Sequence, residues 1–321
     1  MSSEAGAIEV RGLVVRYGAV EALRGLDLSV ARGRCFGMLG PNGAGKTTTV
    51  GVLTTLLRPD AGSARLLGRD VVAERDAVRR DVGVVFQEST LDAELTPREH
   101  LDLYARLYHL SERRRRVSEM LALVGLEERA SEPVRRLSGG LKRRLEIARG
   151  LIHEPRVLFL DEPTLGLDVA ARSAIWEHLR QLAARRETTI FLTTHSMEEA
   201  DSLCEEIAIL DRGRRVASGT PEALKADLGG DVVRLRLTRA DGAAARLQRV
   251  DGVHQVVSDD DADGHALRIT VADGPKRLVD LIEAARPFGV SEVALQRPTL
   301  EHVFLHHTGH SFEPVAENAA R

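Results

Sequence analysis

The chain has 321 residues, 43% of them apolar, with a formal charge of −3; this is a globular composition, too apolar for disorder, and its charge gives no reason to expect a nucleic-acid partner. Residues 231–321 hold 14 acidic and 11 basic side chains and so account for the whole net charge. No run approaches the ~20 apolar residues that span a bilayer, the start MSSEAGAIEV lacks a signal peptide's regions, and Cys35 and Cys204 are too few for a disulfide framework, so a reduced, cytoplasmic protein is expected.

Residues 8–39 alternate β-like runs with turns, IEVRGLVVRYG, LRGLDLSV and CFGML. The pattern predicts a small antiparallel sheet feeding a buried strand. Tyr17 ends the first run; it is either a ring that stacks on a nucleotide base or a half-buried strand aromatic, and position alone leaves both open. CFGML runs into GPNGAGKTT, residues 40–48. Gly40, Gly45, Lys46 and Thr47 fit G-x-x-x-x-G-K-T, and a helix-like stretch follows over 47–57. Glycines let successive backbone N–H groups curl around an anion, and the new helix adds its positive end. Lys46 is placed for β- and γ-phosphates and Thr47 for Mg²⁺.

After ARLLG (64–68) and a polar helix at 73–80, VGVVFQ (82–87) reads as a buried strand ending in an amide. Gln87 is a candidate to hold Mg²⁺ and a water, or plain polar punctuation. The pattern over 96–124 is helical, with Thr96 as N-cap, Pro97 first in the helix and Glu99 at capping-box spacing. Leu101, Tyr104, Ala105 and Tyr108 share one face, which suits either a partner or simple packing.

LSGGLKRRLEIARGLIHEP (137–155) offers Ser138 as a cap, Gly139 and Gly140 as exposed backbone at a helix start, and an apolar stripe of Leu141, Leu145, Ala148 and Ile152. A second anion-binding end in one chain suggests that two chains share each nucleotide. VLFLDEP (157–163) is a buried parallel strand with Asp161 and Glu162 at its C-terminal end, where open α/β sheets bind ligands. Two buried carboxylates need a cation or a proton to move; Asp161 fits as the Mg²⁺ partner and Glu162 as the base that polarises water. LGLD (165–168) opens a helix over 169–186. TTIFLTTH (188–195) is another buried strand, and His195 at its end is read as a γ-phosphate sensor. A closing hairpin (207–220) and a short helix (221–229) follow.

Past Gly229 and Gly230 the order is strand (232–237), helix (243–250), strand (253–258), strand (266–271), helix (276–288), strand (290–295), which is βαββαβ and ferredoxin-like. A short amphipathic helix spans 299–307. His302, His306, His307 and His310 cluster there, but no cysteine or carboxylate pattern completes a zinc site.

Jointly these motifs resemble the nucleotide-binding subunits of ABC transporters. GPNGAGKTT is similar to Walker A, VLFLDEP to Walker B, and LSGGL to the signature, with Leu141 where glutamine is commoner. Gln87, LGLD and His195 resemble the Q-, D- and H-loops, and Tyr17 the adenine-stacking aromatic. The likeness covers 8–228. VFQESTLDAELTPREHL and PTLEHVFLHHTG carry a closer likeness to the drug-export branch, the daunorubicin-resistance type.

The resemblance implies an α/β fold: a P-loop NTPase ABC cassette over 1–229, with a RecA-like core, an antiparallel β subdomain and a helical subdomain at about 88–155. An α+β ferredoxin-like domain at 230–309 and a flexible tail at 310–321 complete it. ATP and Mg²⁺ are the implied ligands. Tyr17, Gly40, Pro41, Asn42, Gly43, Ala44, Gly45, Lys46, Thr47, Thr48, Ser138, Gly139, Gly140 and Asp168 would contact nucleotide. Lys46, Gln87, Glu162 and His195 would be catalytic, and Thr47, Gln87 and, through water, Asp161 would serve magnesium.

The implied partners are a second copy packed head to tail and a separately encoded membrane permease, with no nucleic acid. The permease would meet the region after Gln87 and the helices to Val124, placing the ATPase on the inner face of the cell membrane. The expected function is ATP hydrolysis driving export of a drug or another hydrophobic compound. The alternatives are the ATPase subunit of a polysaccharide or lipid exporter, or a soluble ABC ATPase outside transport. The latter usually carries two cassettes or a long coiled-coil insert, and this chain has neither.

Overall fold

A computed structural model describes residues 6–239, 241–258 and 265–310. The chain divides into two compact units, one ending at Thr220 and the other beginning at Pro221.

The first unit opens with β1 (Ile8–Tyr17) and β2 (Val20–Val30), an antiparallel hairpin in which Leu13, Leu23 and Leu26 turn inward. β3 (Cys35–Leu39) is buried at every position, as a strand covered on both faces must be. α1 (Lys46–Leu53) stops short of the predicted end at 57. There the Thr54 hydroxyl donates to the Val50 carbonyl at 2.8 Å and Thr55 turns to a φ of 65°, so a threonine side chain competes for the helix's own acceptor. β4 (Ala61–Leu66), the unforeseen β5 (Arg69–Asp70), α2 (Arg75–Arg80) and β6 (Val82–Val85) follow. One antiparallel sheet has the order β2-β1-β4-β5.

The predicted helical stretch is two helices, α3 (Pro97–Leu107) and α4 (Arg113–Leu123), because the chain turns at His109 with φ 53°. Thr96 and Glu99 form a reciprocal capping box. Leu101 and Ala105 face inward, whereas Tyr108 is on the surface and stacks on His153 with ring centroids 3.8 Å apart. Then come α5 (Gly139–Leu151), β7 (Val157–Asp161), α6 (Val169–Ala184), β8 (Thr189–Thr194), α7 (Met197–Leu203), β9 (Glu206–Asp211) and β10 (Arg214–Gly219).

The main sheet runs β10-β9-β3-β8-β7-β6, and all but β10 are parallel. Leu39 pairs with Thr194 and Asp161 with Thr193, so β3, β7 and β8 end together at one edge. The ladder continues past them: Gly40 N donates to Thr194 O at 3.3 Å, and Glu162 N to Thr193 O at 3.1 Å. Phe36, Phe159 and Phe191 form the core across these strands, with Phe191 5.5 and 5.3 Å from the other two rings. α5 lies directly on β6, where a Cβ at Gly83 would come 2.2 Å from the Gly150 carbonyl.

The second unit contains α8 (Pro221–Ala226), β11 (Asp231–Leu237), α9 (Ala243–Leu247), β12 (Val253–Ser258), β13 (His265–Val271), α10 (Gly274–Ala285), β14 (Val290–Gln296) and α11 (Leu300–Thr308). Its sheet is antiparallel in the order β12-β13-β11-β14, the ferredoxin-like arrangement. Val233, Leu235, Ile269 and Val271 pack with Leu247 of α9 and Leu281 of α10. α8 packs against α11, so this unit begins ahead of the paired glycines where the sequence reading sets the boundary. The ring of His302 accepts from Thr299 N at 3.1 Å and caps α11. The tail expected at 310–321 lies, beyond His310, outside the described residues.

Phe191→Ala should cost about 3–5 kcal/mol through the cavity left between two rings. Urea unfolding should show a lower midpoint at unchanged slope; an unmoved midpoint would take Phe191 out of the core.

Candidate functional site

The loop after β3 is shaped by Gly45, which has a φ of 105° and whose absent Cβ would meet Leu23 Cδ2 at 2.6 Å and Ala22 O at 2.8 Å. Only glycine fits both the angle and the space. Lys46 begins α1, and its Nζ donates to the carbonyls of Gly40 at 2.7 Å and Pro41 at 3.2 Å. The same Nζ sits 3.1 Å from Glu162 Oε1, with both side chains 6% exposed.

Glu162 follows β7 in the left-handed region at φ 49°, a strained backbone for a side chain with a Cβ. Thr193 of β8 holds it: the Thr193 hydroxyl accepts from Glu162 N at 3.2 Å and donates to Asp161 Oδ1. Glu162 Oε2 accepts from His195 N at 3.3 Å and from His195 Nδ1 at 2.7 Å. Lys46, Glu162 and His195, read from three separate stretches, thus form one chain of charged and ionisable groups. Burial pushes the Glu162 carboxyl up, but the His195 bond and the Lys46 charge outweigh it and hold it below the ordinary value. The bond to Glu162 raises the His195 imidazole above its ordinary value, against the pull of burial.

Linkage gives these shifts opposite signs in pH. His195, raised on folding, contributes stability that is complete below its unfolded pKa and fades as pH rises through the folded one. Glu162, lowered on folding, contributes above its unfolded pKa and loses that share as pH falls through the folded one.

A cavity of about 540 Å³ opens over this edge, and Tyr17, Lys46, Thr47, Gln87 and Glu162 line it together with Pro41, Asn42, Gly43, Gly45 and Thr48. Gly40 and Ala44 are buried behind it. Tyr17 is 52% exposed on the cavity wall, so it is not packed into its sheet. Gln87 stands in the loop beyond Val85, where β6 ends, rather than at the strand end itself. Arg24 and Arg212 also line the cavity and were not foreseen. Arg212 turns between β9 and β10, and the next residue, Gly213, bonds Arg24 N at 2.9 Å and Ala44 O at 3.0 Å.

Four of the expected contact residues lie off this cavity. Ser138 caps α5 by accepting from Leu141 N at 3.4 Å, and both Ser138 and Gly139 are exposed. Asp168 caps α6 by accepting from Ala171 N at 2.8 Å. The two helix starts touch, since a Cβ on Gly140 would meet Ala171 Cβ at 2.8 Å. Thr47 Oγ1 donates to Asp161 Oδ1 at 3.4 Å; these hard oxygen donors, with the amide of Gln87 on the same cavity wall as Thr47, suit Mg²⁺. An amide cradle, a buried lysine, an ionised carboxylate with a histidine and a hard-donor set together suit hydrolysis of a nucleoside triphosphate.

Comparison with known proteins agrees with this chemistry. The ABC transporter family matches residues 23–165, and the C-terminal domain of DrrA1-3-like ATP-binding proteins matches 219–308. The chain is 47% identical over 309 residues to the daunorubicin resistance ATP-binding protein DrrA3 of Streptomyces coeruleorubidus, covering 94% of this chain and 96% of that one. It is 42% identical over 310 residues to the Nod factor export ATP-binding protein I of Burkholderia orbicola, at 95% and 98% coverage. Among solved structures, cbiO1 from Clostridium perfringens, part of the ABC transporter complex cbiONQ, aligns with a TM-score of 0.65 at 30% identity, over 70% of this chain and 92% of that one. A dimeric ATP-binding cassette in a post-hydrolysis state, bound to ADP and Pi, aligns with a TM-score of 0.60 at 27% identity, over 66% of this chain and 98% of that one.

In Glu162→Gln, His195 loses its anionic partner. Its titration, followed by NMR, should move down toward the ordinary imidazole value; a His195 that titrates as in the unmodified chain would break this pairing.

Proposed function

The chain belongs to the ATP-binding subunits of ABC transporters and is an ATPase of that type, and from this premise we propose that it powers an exporter of drugs or other hydrophobic compounds from the inner face of the cell membrane. The daunorubicin-resistance relatives support that cargo at 41–47% identity. Nod factor export proteins match as well, at 40–48% identity, which supports the broader class of exporter ahead of any one cargo.

In the proposed cycle the backbone amides of the glycine loop and Lys46 hold the β- and γ-phosphates, and Tyr17 stacks on adenine. Glu162 accepts a proton from the attacking water while His195 holds its carboxylate in place. Thr47, Gln87 and Asp161, the last through water, would hold Mg²⁺, which when bound neutralises phosphate charge. Ser138, Gly139 and Gly140 of a second copy would close each site, packed head to tail, with Asp168 beside them. Two observations support this: these residues are off their own chain's cavity, and their helix start is open to solvent. A γ-phosphate between two positive helix ends would then draw the copies together, and its loss would let them part.

No described helix is long and apolar enough to cross a membrane. A separate permease would dock on the region after Gln87 and the helices to Val124, where Leu103, Leu107 and Tyr108 are exposed.

The observation that carries the reading is the Lys46–Glu162–His195 chain at the shared end of three parallel strands. Lys46→Ala should abolish hydrolysis and weaken ATP binding, and normal turnover there would contradict the phosphate assignment. Glu162→Gln should bind ATP, fail to cleave it and run as a dimer in gel filtration. Cleavage at the normal rate would remove Glu162 as the base.

A further inference from the structure

Against the backbone of residues 161–163, and not among the residues that line the cavity, lies a side chain that no motif points to. Arg143 of α5 is 8% exposed, and its i+3 neighbour Glu146 is 4% exposed. A guanidinium has five N–H donors and no acceptor, and here all five are used. Nε donates to Pro163 O at 2.8 Å. One terminal nitrogen donates to Asp161 O at 2.8 Å and Glu162 O at 3.1 Å. The other donates to Phe86 O at 2.5 Å and Glu146 Oε2 at 2.9 Å.

Four of the five acceptors are main-chain carbonyls, and they come from two segments far apart in sequence. One segment is Asp161, Glu162 and Pro163. The other is Phe86, directly before Gln87. Glu146 extends the tie, since its Oε1 accepts from Thr90 N at 3.3 Å, and Arg149 donates to Thr90 O at 3.2 Å. The same helix begins at the exposed Ser138 and Gly139.

We propose that Arg143 is a positioning residue for Glu162, joining the backbone on either side of that carboxylate to the segment around Gln87 so that the two move together. The inference rests on reading Glu162 as the base. Glu162 sits at φ 49°, and a strained residue persists only where its surroundings fix it. Thr193 fixes its amide from one side, and Arg143 fixes its carbonyl from the other. Only the planar fork spans both segments. Lysine offers a point charge with three donors and no fixed plane, so it keeps the charge and loses the tie. A displacement of the loop that follows β6 would therefore be carried to Glu162 through Arg143.

The test is steady-state ATP hydrolysis by the full chain with Arg143→Met and Arg143→Lys. A misplaced catalytic group costs rate rather than affinity, up to about 100-fold for a 1 Å error. In Arg143→Met, kcat should fall at least about 10-fold while KM for ATP stays within about 3-fold. Arg143→Lys should show the same split with a smaller loss. If the methionine variant does not fold, the lysine variant decides by that split. A kcat at the level of the unmodified chain overturns the proposal. So does a KM that rises in step with the loss of rate, which would make Arg143 a binding or purely structural group. Should Glu162→Gln turn over ATP normally, the base assignment fails and takes this role with it. That failure shows in a different variant and so is distinguishable from one confined to Arg143.

Discussion

Hydrogen-bonded register is the constraint on which the site depends. β3, β7 and β8 are parallel, and Leu39, Asp161 and Thr194 reach the same edge because their ladders align them. What leaves each strand is then fixed in space: a glycine loop from the first, two carboxylates from the second, a histidine from the third. A shift of one residue in any of them would exchange the side chains packed on its two buried faces and separate Lys46 from Glu162. The aromatic contacts of Phe36, Phe159 and Phe191 lock the same three strands from within the core.

Given that alignment, the electrostatics follow. A carboxylate as buried as Glu162 would by itself be driven toward its neutral form, and a neutral acid takes no proton from water. Lys46 and His195 reverse this and keep an anion where dehydration opposes one. Each member of the chain also protects the others, because removing one partner leaves a buried charge without compensation. The arrangement serves reactivity more than stability, since such pairs add little to folding compared with apolar side chains of equal volume.

Much of this was legible in the sequence, for definite reasons. The glycine loop, the Asp161 and Glu162 pair and the end of β8 are contiguous patterns whose residue types state their chemistry. Continuous apolar runs marked β3, β7 and β8 as strands buried on both faces. The order of elements after Gly230 gave the ferredoxin-like arrangement. Other features left no local mark. The turn at His109 that divides α3 from α4 uses neither glycine nor proline. α7 is MEEADSL, and its polarity hides that Glu199 is buried and takes bonds from Thr164 and Trp176. Arg212 and Arg24 reach the cavity only through the pairing of a distant hairpin turn. Arg143 is the clearest case, because four of its five acceptors are main-chain carbonyls, which any residue supplies and no pattern announces.

The position of β3 between β8 and β9 also bears on how the protein is made. β3 emerges early from the ribosome, yet both of its neighbours lie more than a hundred residues downstream. Until synthesis has passed Thr194 this apolar segment has no partner strand, and until Asp211 it lacks the second. Parallel pairings of such long range assemble slowly and expose sticky intermediates meanwhile. Nascent chains therefore spend most of translation without their central strand in place.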